Sequence, residues 1–281
     1  MGTPWVLAVD LGTGGPKVGA VGLDGSILAT AFTPVPTIAT HDGGVEQDVT
    51  LWWDGIRAGV RSFLDAGVVR GDDLHAVGLT SQWMSMVAVD GDGAPVGPCL
   101  MWSDRRGEPQ ATAAVGGPVA GLAPDVIVRA VRYTGMVPLP SGEDPLGHEL
   151  FLRANRPEQY RRARALLEPV DYLGLRFTGV IAATPASQFT SALVDNRPGR
   201  IPRRPLPRAP QQRRGGSGRR RQGVTLLQRV GGVVVGLGGA GTRKGLHLDH
   251  VASIGCEYLS RRSMMLLVPA AHRLHDISAK Q

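Results

Sequence analysis

Two cysteines, Cys99 and Cys256, are all that the 281 residues contain, and they stand far apart. They offer neither a disulfide framework nor a thiolate metal knuckle, and so sparse a supply suits a reducing cytoplasm. Aromatic residues are scarce, at 5%, and no stretch reaches the ~18 uninterrupted apolar residues that a membrane-crossing helix needs. The amino terminus lacks a basic region followed by an apolar core and a small-residue cleavage site, so neither a leader nor a membrane partner is expected. Acidic residues are missing from one whole segment: ten arginines and no Asp or Glu fall between Arg197 and Arg221. Taking those ten charges from the formal +7 leaves −3 for the rest of the chain, so the basicity belongs to that segment alone. Specific nucleic-acid binding is therefore not expected of the remainder.

What is present is concentrated first at Trp5-Val6-Leu7-Ala8-Val9-Asp10-Leu11-Gly12-Thr13-Gly14-Gly15-Pro16-Lys17. An apolar run fitting a buried strand ends on a carboxylate, then glycines, a hydroxyl and a cation. Glycine permits positive φ and a close approach of backbone N–H groups to an anion, Thr13 adds a small donor, and Lys17 adds a mobile charge. Asp10 could hold Mg²⁺, which prefers oxygen ligands and bridges to phosphate. The turn matches neither G-x-G-x-x-G nor the Walker A spacing. Val18 to Leu23, an Asp24-Gly25 turn and Ser26 to Phe32 then predict an antiparallel meander. Asp10 and Thr13 could equally serve only hairpin geometry.

A helix is predicted after Val49-Thr50, where Trp53, Ile56, Val60 and Phe63 recur at helical spacing, with Trp52 and Trp53 in or beside the core. Glu46 and Gln47 just before it are polar and could face a ligand. Ala76 to Leu79 reads as a strand ending at Thr80-Ser81-Gln82-Trp83, Met84 to Val89 as the next, and Pro98 to Trp102 as an extended run before Ser103-Asp104-Arg105-Arg106. Polar clusters at strand ends are where α/β folds place ligands. Gln82 can donate and accept, Trp83 or Trp102 can stack on a polyol, and Asp104 can accept two hydroxyl hydrogen bonds. That set suits a sugar, although aromatic rings near an acid also occur as ordinary core edge. Replacing Asp104 with alanine is expected to weaken sugar binding with little change in fold.

Further on, Gly147 to Leu152 predicts a helix with His148 on its surface, Pro157 opens the next, and Pro169 to Phe177 reads as a buried helix closed by Thr178-Gly179. Three parts are expected: residues 1–196 as one domain, 197–223 as a disordered Arg/Pro-rich segment, and 224–281 as a divergent remainder. For the second part, nonspecific anion or RNA contact and an out-of-frame stretch without an evolved role both stay open. Within the third, Gly236 to Gly241 lacks a clear flanking strand and helix, while Met264 to Ala271 suits a strand or short helix.

Asp10-Leu11-Gly12-Thr13, Glu46-Gln47 before Trp52-Trp53, Gly78-Leu79-Thr80-Ser81-Gln82-Trp83-Met84, Leu100-Met101-Trp102-Ser103-Asp104-Arg105-Arg106, and Pro169 to Leu173 with Phe177-Thr178-Gly179 together resemble the amino-terminal domain of the FGGY carbohydrate kinases. Within that family they are most similar to the xylulose kinase branch. The resemblance implies an α/β, actin-like, ribonuclease-H-like ATPase domain with a mixed sheet and flanking helices. It further implies ATP and Mg²⁺ as cofactors and a ketopentose such as D-xylulose as acceptor; a homodimer stays open. By the same resemblance Asp10 would organise Mg²⁺ and the transferred phosphate, with Thr13 and Lys17 near the phosphates. Gln82, Trp83, Met84, Trp102 and Asp104 would line the sugar pocket, with Arg106 orienting it. The family's catalytic base, an aspartate in a glycine- and alanine-rich context, has no match, since Asp249 and Asp276 lack that surrounding motif. The pattern stops near Asn196, so an interrupted kinase and a noncatalytic sugar binder or pseudokinase both stay open.

Overall fold

The computed structural model describes residues 3–192 and 266–269. The expectations for 197–223, and for 224–281 apart from that short piece, lie outside the described residues. Strand β1 (Trp5–Gly12) buries Trp5, Leu7, Val9 and Leu11, the alternate positions of a pleat, and leaves Asp10 half-buried on the other face. It forms a hairpin with β2 (Gly15–Gly22), and β3 (Ile27–Phe32) adds antiparallel to β2, as the apolar alternation and the Asp24-Gly25 turn lead one to expect. Strand β2 begins three residues before the expected Val18, which narrows the turn to Thr13-Gly14. Gly15 is obligatory there: its φ is +126°, and an added Cβ would run into the Thr33 carbonyl oxygen. Gly15→Ala is expected to cost at least ~1 kcal/mol of folding free energy in a urea titration, and an unchanged midpoint would refute this account of the hairpin.

Short strands β4 (Ile38–Ala39) and β5 (Val45–Gln47) lead into helix α1 (Val49–Asp65), whose first turn is capped by the Asp48 carboxylate accepting from Thr50 N. Its buried face carries Trp52, Trp53, Ile56, Val60 and Phe63, and Trp52 meets the Tyr172 ring edge-on at 6.2 Å. Strand β6 (Leu74–Ser81) returns parallel to β1. Then come β7 (Val87–Val89), β8 (Cys99–Leu100), α2 (Glu108–Val115), β9 (Gly116–Val119), α3 (Pro124–Tyr133), α4 (Pro145–Asn155), α5 (Pro157–Arg162), β10 (Ala165–Leu167), α6 (Pro169–Thr178) and α7 (Pro185–Gln188). Helix α6 is almost wholly buried through Leu175 and ends on Gly179 in the left-handed conformation.

Strand β11 (Leu266–Pro269), within the stretch read as strand or short helix, pairs antiparallel with β6. The main sheet is therefore mixed, ordered β11-β6-β1-β2-β3, with β4-β5-β8 and β10-β7 as smaller sheets. No helix among the described residues is long and apolar enough to cross a membrane.

Candidate functional site

Because β1 and β6 run parallel, their carboxyl ends meet at one edge of the sheet. The register aligns Asp10 with Lys17 on β2 and with Thr80 on β6. Side chains in register on neighbouring strands share a face, so cation, carboxylate and hydroxyl form one row. Burial pushes the Asp10 carboxyl above its usual range, and Lys17 opposes the shift. The Thr80 hydroxyl is buried without a hydrogen-bond partner. Thr80 was legible only as part of a polar cluster, because the row exists only once β6 is laid beside β1.

The hairpin tip reaches the second strand-end cluster directly. The Thr13 hydroxyl donates to Gln82 Oε1 at 3.1 Å and accepts from the Trp102 indole at 3.3 Å. Gln82 N–H continues the parallel ladder to the Leu11 carbonyl at 2.7 Å. Trp83 and Trp102 are 49% and 47% exposed, unlike the other three tryptophans, which are buried. Half-exposed rings beside an amide and a hydroxyl make a surface able to stack on a polyol and read its oxygens. Thr13 thus joins Gln82 to Trp102, with Asp10 near the tip of the same hairpin.

Other residues take different places from those expected. Gln47 is fully buried and spends its amide inside the protein: Nε2 donates to the Thr13 carbonyl at 2.7 Å and to the Thr37 hydroxyl at 2.9 Å, while Oε1 accepts from the Trp52 indole at 2.9 Å. It braces the hairpin tip instead of facing a ligand. Glu46 accepts from Arg106 at 2.5 Å and Arg156 at 2.6 Å.

Asp104, expected to take sugar hydroxyls, is completely buried. Its oxygens accept from Val45 N at 2.9 Å, from Arg106 N and Nε at 3.1 Å, and from Arg106 Nη2 at 2.6 Å. The backbone turns Trp102 outward and Asp104 inward, and a buried carboxylate must be answered by donors nearby. Burial works against the Arg106 charge, but the bonds to Asp104 and Glu46 outweigh it and hold the guanidinium above its ordinary range. That guanidinium also lies 4.5 Å from the centre of the Phe151 ring.

His148, expected on a helix surface, is likewise fully buried, and its ring meets the Asp104 backbone. Burial pushes it down to about 4, with the Asp104 carboxylate opposing and Arg106 reinforcing the shift. The cause is a close crossing: Gly107 lies so near Gly147 that a Cβ on it would strike the Gly147 carbonyl oxygen, and this buries the first turn of α4. Among the described residues, no group of three or more His, Cys, Asp or Glu side chains forms a metal centre.

A family model for the amino-terminal domain of the FGGY family of carbohydrate kinases matches residues 5–195. The chain belongs to the FGGY family of carbohydrate kinases. It is 25% identical over 177 residues to the xylulose kinase of Escherichia coli K12, covering 63% of this chain and 34% of that protein. With the xylulose kinase of Streptomyces rubiginosus the identity is 32% over 180 residues, again covering 63% of this chain and 34% of the relative. This FGGY chain therefore spans about a third of the length of these curated relatives.

Among solved structures, a xylulose kinase from Lactobacillus acidophilus with bound ligand superposes with a TM-score of 0.60 at 16% identity, covering 90% of this chain and 46% of that one. The Brucella ovis enzyme described as a xyloylose kinase gives 0.58 at 22%, covering 68% and 37%. These likenesses establish the shared fold, an actin-like, ribonuclease-H-like mixed sheet flanked by helices.

Proposed function

We propose that this FGGY domain supplies the sugar-binding face and part of the phosphate-binding edge of a cytoplasmic kinase that moves the γ-phosphoryl of ATP to a hydroxyl of a ketopentose such as D-xylulose. The observation that carries the reading is the bonding of Thr13 to both Gln82 and Trp102, which puts a stacking and hydrogen-bonding surface against the hairpin tip that carries Asp10. The names of the relatives and the mixed sheet support it.

Gln82, Trp83, Met84 and Trp102 would orient the sugar. Thr13 and Lys17 would offer a hydroxyl and a cation to phosphate oxygens, and Asp10 with the unpartnered Thr80 hydroxyl supplies hard oxygen donors. That donor set fits Mg²⁺, which is commonly held by one or two carboxylates together with phosphate and water, and which would neutralise charge on the transferred group. Asp104 and Arg106 would act behind the site, fixing the loop that presents Trp102. Phosphoryl transfer rests on alignment and electrostatics from both sides of a closed site. A second reading, sugar binding without turnover, is favoured by the absence of a match to the family's base motif.

Coupled ADP release with Mg·ATP and D-xylulose, L-ribulose or glycerol separates the two. Sugar-dependent release abolished by Asp10→Asn supports the kinase reading, whereas saturable sugar binding with no release above background supports the second.

A further inference from the structure

Met84 has φ +61°, a left-handed conformation rarely taken by a long side chain. Such a residue costs on the order of 1–2 kcal/mol and persists only where its surroundings hold it. What holds it comes from far along the chain. Glu168, which precedes α6, makes no cap bond of its own to that helix. Its Oε1 instead accepts the Met84 N–H at 3.1 Å and the Thr190 hydroxyl at 2.5 Å. Each of those residues adjoins one ring of a stacked pair: Trp83 and Phe189 lie 6.0 Å apart, tilted by 39°. On the other side of Met84, the Ser85 hydroxyl accepts the Trp102 N–H at 3.0 Å. The two half-exposed tryptophans are thus fastened from behind, one through Glu168 and the other through Ser85.

We infer that Glu168 is a positioning residue for the sugar face, setting the left-handed turn at Met84 and, with Thr190, the pose in which Trp83 is presented to ligand. This rests on the sugar-binding reading given above. Glu168 is 3% exposed, and its carboxyl takes hydrogen bonds from Thr190, Met84 and Ser85, so solvent contact does not account for its place. Asp171, in the first turn of α6, is a carboxylate near enough to act on it, and Cys99 is a further titratable group near enough to feel its charge. A neutral amide can replace the acid here, because Gln keeps an oxygen acceptor where Oε1 stands.

The test compares Glu168→Gln, Glu168→Leu and Thr190→Val in the full chain carrying Trp102→Phe, which leaves Trp83 as the only exposed tryptophan. The readouts are Met84 amide exchange, acrylamide quenching of Trp83 and, in chains retaining Trp102, calorimetric binding of D-xylulose and L-ribulose. Glu168→Leu is expected to speed Met84 exchange about tenfold or more while the slow core amides of β1 stay protected. It should also raise Trp83 quenching and weaken sugar binding about tenfold, with Glu168→Gln within about threefold of the parent and Thr190→Val between them. Unchanged Met84 exchange in both Glu168→Leu and Thr190→Val, or a Gln variant as impaired as the Leu variant, would overturn the inference. Absence of sugar binding by the parent chain would instead overturn the sugar-binding reading, and exchange and quenching would still decide whether Glu168 sets the turn.

Discussion

Thermal unfolding at about pH 8.5 is expected to occur at a markedly lower temperature than at about pH 6, the result of two buried carboxyls behind the sugar face. Burial raises Glu168 to about 8, with the Asp171 charge adding to the rise and bonds from Thr190, Met84 and Ser85 opposing it. Burial likewise raises Asp171 to about 7 against hydrogen bonds from Ser187 and Gln188. Unfolded, the two groups ionise at their ordinary values of 4.5 and 3.8. Across the intervening range the native state keeps protons that the unfolded chain releases. The stabilisation is therefore complete below those ordinary values and is lost as pH rises through about 7 and about 8. At about 1.4 kcal/mol per unit, the two groups together lose up to about 4 kcal/mol between about pH 6 and 8.5.

His148 works in the other direction, since its pKa is lowered, and its contribution changes between its folded value of about 4 and its ordinary 6.5. It is therefore nearly constant over most of this window. Glu168→Gln should remove the Glu168 share and flatten the curve. A melting temperature that is level or rises from about pH 6 to 8.5 would contradict the assignment.

Asp104→Ala is expected to destabilise the chain by about 3–5 kcal/mol, because it strands a buried cation. The Arg106 side chain is 5% exposed, and Asp104 takes three of its hydrogen bonds while Glu46 takes a fourth. Glu46 is already shared with Arg156 and cannot replace the lost carboxylate. This reverses the expectation that alanine at Asp104 would spare the fold. Arg106→Lys should also be costly, since an ammonium cannot span two acceptors as the planar fork does. Adding Arg106→Leu to Asp104→Ala should recover part of the loss, because the double change leaves no unpaired charge behind. Urea midpoints for the two single variants and the double variant check this, and a double variant no more stable than Asp104→Ala would argue that the network is not the cause.

The opening meander and α1 were legible because their information is local. Leu7, Val9 and Leu11 alternate, Asp24-Gly25 punctuates the turn, and Trp53, Ile56, Val60 and Phe63 fall on one helical face. The outward tryptophans of the candidate site were legible as well, as rings next to polar residues at strand ends. The destinations of the polar side chains were not. Glu168 finds Met84 across 84 positions and Glu46 finds Arg156 across 110, separations at which no periodicity signals a partner. His148 lies in the first turn of α4, where Leu146, Gly147 and His148 are all buried, while the helix's outer polar positions, Glu149 and Arg153, stand beside it in the sequence and make His148 look like one of them. Asp104 shows the same difficulty at short range, since two positions separate an exposed ring from a sealed carboxylate.

The most direct test of the sugar face is calorimetric titration of the full chain with D-xylulose, L-ribulose and glycerol, beside Trp102→Ala and Gln82→Ala. The account predicts saturable binding of a ketopentose that weakens about tenfold or more in each variant, with melting temperatures close to that of the parent. Equal affinity in parent and variants, or no binding of any of the three, would contradict it.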